Sequence, residues 1–155
     1  MNKLPKRKQL RLNHFDYSKE GAYFITICTE DKTCLLSRIV GCDAHIAPNV
    51  MLSKYGKIAE KYIITIPGIK EYVIMPNHIH MIIVIDGTMR ASSPTISSLI
   101  RSFKVLTTKE IGFSIFQCSF YDHIIRDDED YLTKAKYIEE NPAKWAEDKY
   151  YIANQ

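Results

Sequence analysis

The segment EYVIMPNHIHMIIVID, residues 71–86, decides the fold. Two strand-prone runs, Glu71 to Met75 and His78 to Asp86, are separated only by Pro76-Asn77, the length of a tight antiparallel connection. They predict a hairpin. Side chains alternate along a strand, so His78 and His80 share one face while Ile79, Met81, Ile83 and Ile85 share the other. The isoleucine-methionine face suits a covering layer of helices.

Upstream of the hairpin, Gly21 to Thr29 (GAYFITICT) is rich in aromatic and β-branched residues and lies between a glycine and a charged Glu-Asp-Lys stretch, which predicts a strand. Residues 30–48 read as loop. With Asn49 as N-cap, Leu52, Tyr55, Ile58, Ala59, Tyr62, Ile63 and Ile66 recur at helical spacing until Pro67-Gly68 stops the run. Downstream, Ser92-Ser93-Pro94 offers a cap and a first-turn proline for a second helix, striped by Ile96, Leu99, Ile100, Phe103 and Leu106. Ser114 to Ile125 is again strand-prone. Asp127 or Asp128 then caps a last helix with an acidic first turn, which Pro142 ends soon after Asn141. The order β, α, β, β, α, β, α is that of the ferredoxin-like (split βαβ) α+β fold, followed here by an extra C-terminal helix. It implies a four-stranded antiparallel sheet with two helices on one face and the other face left for a site.

A chain of 155 residues with 46% hydrophobic content suffices for one compact domain, here residues 21–155. Residues 1–20 form a basic arm through Lys3, Lys6, Arg7, Lys8 and Arg11, which can lie along phosphates or remain a solvated tail. No apolar stretch approaches the roughly 18 to 20 residues of a membrane span, and no apolar segment follows the basic N-terminus, so a soluble cytoplasmic protein is expected. Cys28, Cys34, Cys42 and Cys118 form no CxxC pair and are expected as free thiols. A zinc site from Cys28, Cys34, Cys42 and His45 has spacings that match no familiar finger or ribbon. The net charge of +3 is too modest to imply nucleic acid by itself, and no glycine-rich phosphate loop is present.

Two imidazoles on one pleated surface can hold a single cation, but a catalytic metal site needs a third ligand from elsewhere. The bland alternative is a pair of half-exposed histidines without a role. The last helix offers candidates. At about 100° per residue, Tyr131, Leu132, Ala135 and Ile138 fall on a core-facing stripe, whereas Tyr137 projects off it and Asn141, one turn later, projects beside Tyr137. Cleavage of a phosphodiester by tyrosine needs a phenolic oxygen in line with phosphorus and a cation on the non-bridging oxygens. Tyr137 would be the nucleophile, and His78, His80 and Asn141 could hold the cation. Basic residues flank these elements: Arg101 and Lys104 on the second helix, Arg126 and Lys134 around the last. Tyr121 and His123 on the fourth strand could meet a nucleotide, although each of these six can also be ordinary surface or packing.

Taken in order, GAYFITICT, YVIMPNHIHMIIVI, SSLIRSFK, SFYDHIIRDDEDY and KYIEENPAKW resemble the HUH single-tyrosine transposases, and within them the REP-associated tyrosine transposases and other insertion-sequence-200-like enzymes. The resemblance places the family's motif histidines on His78 and His80, its nucleophile on Tyr137 and its third metal ligand on Asn141. It implies a Mg²⁺ or Mn²⁺ cofactor, a single-stranded DNA substrate with an imperfect hairpin and a 5′-phosphotyrosine intermediate. Where many relatives carry Trp-Gln-Arg, this chain has Phe116-Gln117-Cys118, losing an arginine that could have met DNA. A homodimer in which the tyrosine helix serves a partner subunit is one arrangement the sequence leaves open. So are a domesticated protein that binds DNA hairpins without moving them, and a ferredoxin-like RNA-binding module that stacks bases on its sheet. A histidine phosphodiesterase without covalent chemistry would want a second histidine motif, and His14, His45 and His123 stand alone.

Overall fold

The computed structural model describes residues 21–41, 47–86 and 94–153. The basic arm, Cys42, His45, Ser92 and Ser93 lie outside these residues. The central strands are β1 (Gly21–Cys28) and β5 (His78–Ile85), paired antiparallel along their full length from Gly21↔Ile85 to Cys28↔His78. Both carry apolar residues on each face, as strands covered from both sides must. The expected hairpin forms between β4 (Ile69–Ile74) and β5, closed by Met75 N–H donating to the His78 carbonyl at 2.9 Å. With β6 (Tyr121–Ile125) on the outer edge of β1, the sheet runs β4-β5-β1-β6, all antiparallel. This is the predicted ferredoxin-like sheet.

Helices α1 (Lys54–Ile63) and α2 (Ile96–Ile111) cover one face. There Ile79, Met81, Ile83 and Ile85 join Tyr23, Ile25, Ile27, Ala59, Ile63, Leu99 and Phe103 in the main core. Helix α3 (Asp128–Glu140) lies on the opposite face, where Phe24, Val73, Met75, Ile82, Ile125 and Ile138 make a smaller cluster. The expected open face is therefore partly roofed by the tyrosine helix itself.

Three boundaries differ from the sequence expectation. Asn49 does not cap α1: Asn49–Leu52 is strand β3, paired with β2 (Ser37–Val40) inside the stretch expected as loop. The cap is Ser53, whose Oγ accepts from Gly56 N–H at 3.1 Å. Gly56 itself presses on the chain before β2, since a Cβ there would stand 2.0 Å from the Leu36 carbonyl oxygen, so the helix can dock only where glycine lets the backbones meet. α2 starts at Ile96 with Thr95 as its cap, accepting from Ser98 N–H at 3.1 Å. The fourth strand covers only Tyr121–Ile125. Ile115, Phe116 and Phe120 are buried as a plug under the sheet edge, and Lys104 Nζ holds the loop by donating to the Gln117 and Ser119 carbonyls at 2.6 and 3.1 Å.

Candidate metal and tyrosine centre

Strand alternation puts His78, His80 and Ile82 under α3, and the register aligns Cys28 with His78 and Thr26 with His80 on the same face. The histidines are 0% and 2% exposed, fully buried rather than half-exposed. Each ring is fixed through Nδ1: His78 Nδ1–H donates to Asn77 Oδ1 at 2.9 Å, and His80 Nδ1 is 2.8 Å from Thr26 Oγ1. Asn77 is itself oriented, because its Nδ2 donates to the Tyr150 and Lys32 carbonyls at 2.7 and 3.2 Å. With its proton on Nδ1, the His78 ring presents the Nε2 lone pair to the space under α3.

Burial pushes the His78 pKa down to about 4, partly opposed by the Asp148 carboxylate. Burial, then His78, Lys149 and Lys134, hold His80 well below its ordinary value. Both rings are neutral at physiological pH, the form that binds a metal.

Three buried atoms in this space have no hydrogen-bond partner: His78 Nε2, His80 Nε2 and Asn141 Oδ1. Leaving buried polar atoms unpaired costs about 1 to 3 kcal/mol each, so such a cluster is unusual in a structure selected for packing alone. Asp148 joins them. Ligand atoms of His78, His80 and Asp148 lie within 4.8 Å of one another, Asp148 Oδ2 is 3.7 Å from His78 Nε2, and Asn141 Nδ2 donates to that same oxygen at 3.1 Å. Two imidazoles, a carboxylate and an amide oxygen are a donor set that fits a divalent cation. Sequence reading missed Asp148. It follows the proline that ends α3, in a segment with no periodicity to orient it, and only the chain's return beneath the helix brings it to the histidines.

Tyr137 is half-exposed, and its ring meets His80 edge-on at 5.2 Å and Phe24 at 5.9 Å between centroids. Burial and Asp148 raise its pKa, while a hydrogen bond from Asn141 lowers it. Thus the expected pairing of Tyr137 with Asn141 on one side of α3 is present, with Asn141 buried at the C-cap. Tyr131, Ala135 and Ile138 pack inward as expected, but Leu132 is 67% exposed: α3 touches the sheet along a stripe narrower than its apolar residues suggest. Trp145 and Tyr150, from the segment after α3, wall the other side, with ring centroids 5.9 and 4.6 Å from His78.

The proposed DNA-contacting residues divide between the two faces. Tyr121 and His123 align with Thr26 and Phe24 on the face of the histidines. His123 Nε2 is 2.8 Å from Asp130 Oδ2, which also accepts from Arg126 N–H, so this pair fastens the start of α3 to the sheet edge. Lys134 lies with its Nζ 5.1 Å over the Phe24 ring. Arg101 and Lys104 belong to α2, behind the sheet, and the Lys104 ammonium is taken by the carbonyls described above. The free thiols expected of Cys28, Cys34 and Cys118 are present as such.

No protein-family model matches the chain. A Haemophilus influenzae protein named only "Uncharacterized protein" is 34% identical over 94% of this chain and 93% of its own length. A second protein of that organism, named "Putative REP-associated tyrosine transposase", is 28% identical over 83% of this chain and 74% of its own. Among solved structures, that of a REP-associated tyrosine transposase bound to a REP hairpin superposes with a TM-score of 0.63 at 23% identity, covering 86% of this chain and 73% of that one. The ordered motifs, the shared fold and the named relative agree: the chain resembles the REP-associated tyrosine transposases in sequence and shares their fold.

Proposed function

We propose that this protein is a metal-dependent single-stranded DNA endonuclease and strand transferase that acts beside DNA hairpins through a covalent 5′-phosphotyrosine. The observation that carries the reading is the set of unpartnered buried atoms, His78 Nε2, His80 Nε2 and Asn141 Oδ1, gathered beside the half-exposed Tyr137 ring. Packing alone would not leave these atoms facing one another.

His78, His80 and Asp148, with the Asn141 amide oxygen, would hold Mg²⁺ or Mn²⁺. When bound, the cation would withdraw charge from the non-bridging phosphate oxygens. The mixed nitrogen and oxygen donors are softer than the all-oxygen shell that Mg²⁺ prefers, which favours Mn²⁺ in vitro. Tyr137 Oη would attack phosphorus. The P–Oη bond forms as the P–O3′ bond breaks, the phenol loses its proton and the departing 3′ oxygen gains one. The reverse attack by a free 3′ hydroxyl rejoins the strand, so one site cuts and joins. Asn141 has two duties on its two amide atoms: its Nδ2 holds Asp148, leaving Oδ1 for the cation. The relative's REP hairpin makes a hairpin-bearing single strand the partner to test.

Incubation with labelled hairpin-bearing single-stranded DNA and Mn²⁺ is expected to give an adduct that survives denaturation in the parent and is lost in Tyr137→Phe. An adduct that persists in Tyr137→Phe but vanishes in Tyr131→Phe would assign the wrong tyrosine. Hairpin binding without adduct at any metal concentration would favour the domesticated binder. The RNA-module reading draws little from this fold, since Phe24, Ile82 and Ile125 on the face that such modules use for stacking are buried under α3.

A further inference from the structure

Three lysines surround the site, and one of them, Lys32, stands on a strained stretch of backbone. Asp31 and Lys32 are consecutive non-glycine residues in the left-handed region, with φ of 52° and 54°. For side chains other than glycine, asparagine or aspartate this region is costly, and it persists where surrounding structure imposes it. Here buried side chains impose it. Thr29 Oγ1 donates to the Thr33 carbonyl at 2.8 Å, and Asn77 Nδ2 donates to the Lys32 carbonyl at 3.2 Å. The same Nδ2 holds the Tyr150 carbonyl, so one amide, adjacent in sequence to His78, positions both Lys32 and the residue after Lys149. The result is that Lys32 Nζ and Lys149 Nζ stand 5.7 and 4.9 Å from the centre of one ring, that of Tyr150, which packs on His78.

At the other end of the site, Lys134 stands over Phe24, whose ring stacks on His80 and meets Tyr137. Lys134 precedes Tyr137 by three positions, so both project on the same side of α3. Among the described residues the lysine ion pairs are Lys61–Glu110, Lys136–Glu140 and Lys144–Glu140, and none includes Lys32, Lys134 or Lys149. Asp130, one turn before Lys134, feels its charge, but that carboxylate is engaged by His123 and the Arg126 amide. Both ammonium groups stand within reach of one ring, and no ion pair among the described residues includes either, so their charge is left for an anion to neutralise.

We propose that Lys32 and Lys149 form a phosphate clamp on one side of Tyr137 and Lys134 a second contact on the other, so that a single strand runs from one to the other with its scissile phosphate over the histidines. The ligand class is the phosphodiester backbone of single-stranded DNA, contacted without base reading. The track rests on the reading of Tyr137 and the histidines as a strand-cleaving centre. It adds which residues hold the flanking backbone, including two, Lys32 and Lys149, that carry no sequence motif.

The test is equilibrium binding in the Tyr137→Phe background, where the strand is not cut. Two DNAs are compared, a bare hairpin and the same hairpin with a single-stranded extension, across a salt series. The double substitution Lys32→Ala with Lys149→Ala is expected to weaken binding of the extended DNA roughly tenfold or more and to flatten its log-affinity against log-salt slope by about 1.4, leaving the bare hairpin unchanged. Lys61→Ala, remote and ion-paired, serves as the control for loss of charge. Equal weakening on both DNAs, no weakening on the extended one, or the same loss in Lys61→Ala each overturns the clamp. Failure of the parent to bind either DNA overturns it too. Failure of the cleavage reading looks different: the parent makes no Tyr137 adduct, whatever the lysines do to binding. Lys32→Gly gives an independent reading of the strained turn. It should relax φ while still weakening the extended DNA, and extended-DNA binding as tight as the parent's overturns the clamp.

Discussion

The two faces of the central sheet are built from the same strands and face opposite fates. On the α1 and α2 side, Ile25, Ile27, Ile79, Met81 and Ile83 are fully buried among other hydrocarbon side chains. Behind α3, the neighbouring positions along β5 are His78 and His80, equally buried but with their Nε2 atoms unpaired, and the helix above them buries only Ile138 completely. One face buries apolar side chains against one another; the other buries polar atoms that lack hydrogen-bond partners. The contrast teaches that burial alone does not identify a core. What separates the faces is whether the polar atoms on them are satisfied.

The strongest way to break the contrast is at Tyr137. Tyr137→Phe is expected to abolish the covalent adduct, a loss of several orders of magnitude, while thermal unfolding stays near the parent because this ring is half-exposed; unfolding of the variant at ambient temperature would instead make Tyr137 part of the packing. On the opposite face, Met81→Ala should cost about 2 to 5 kcal/mol in chemical denaturation, since Met81 is fully buried in the main core, and a cost under about 1 kcal/mol would mean that this core is loosely packed.

The histidine face also titrates. His78 is held at about 4 against an ordinary value of 6.5, so the unfolded chain takes up a proton that the folded chain refuses. Stability from this source is intact above pH 6.5 and falls as the pH drops toward 4, by a few kcal/mol in the metal-free protein. His78→Leu should flatten that part of the pH-stability curve; a parallel curve would place the acid sensitivity elsewhere. Mn²⁺ is expected to stabilise the parent by about 2.7 kcal/mol at one hundred times its dissociation constant. The same addition should do nothing for His78→Ala with His80→Ala, and stabilisation retained in that variant would remove the metal from this site. The smallest effect is expected at Leu132, apolar but 67% exposed on α3, where alanine should change stability by less than about 0.5 kcal/mol. A larger cost would mean that α3 sits closer on the sheet in solution, or that another surface covers Leu132.

The sequence determined the alternation of His78 and His80 against Ile79, Met81, Ile83 and Ile85, because a two-residue period is a local property of an extended chain. It determined the hairpin through Pro76-Asn77, the placement of α2 and α3, and the pairing of Tyr137 with Asn141, which depends only on helical pitch. It was less able to place ends. Asn49 looks like a cap until Ser37–Val40 arrives to pair with it, and Ser114–Phe120 looks like strand until the core claims its aromatics.

Only the tertiary structure decided what depends on distant segments meeting. α3 had to fold back over the sheet for the histidines to be buried, and the segment after Pro142 had to return beneath it for Asp148 to come within reach of His78. Lys32 and Lys149 meet at Tyr150 because Asn77 bonds to both of their chain segments. No periodicity encodes such meetings, since they are set by where chain ends and turns are carried by the packing of everything else.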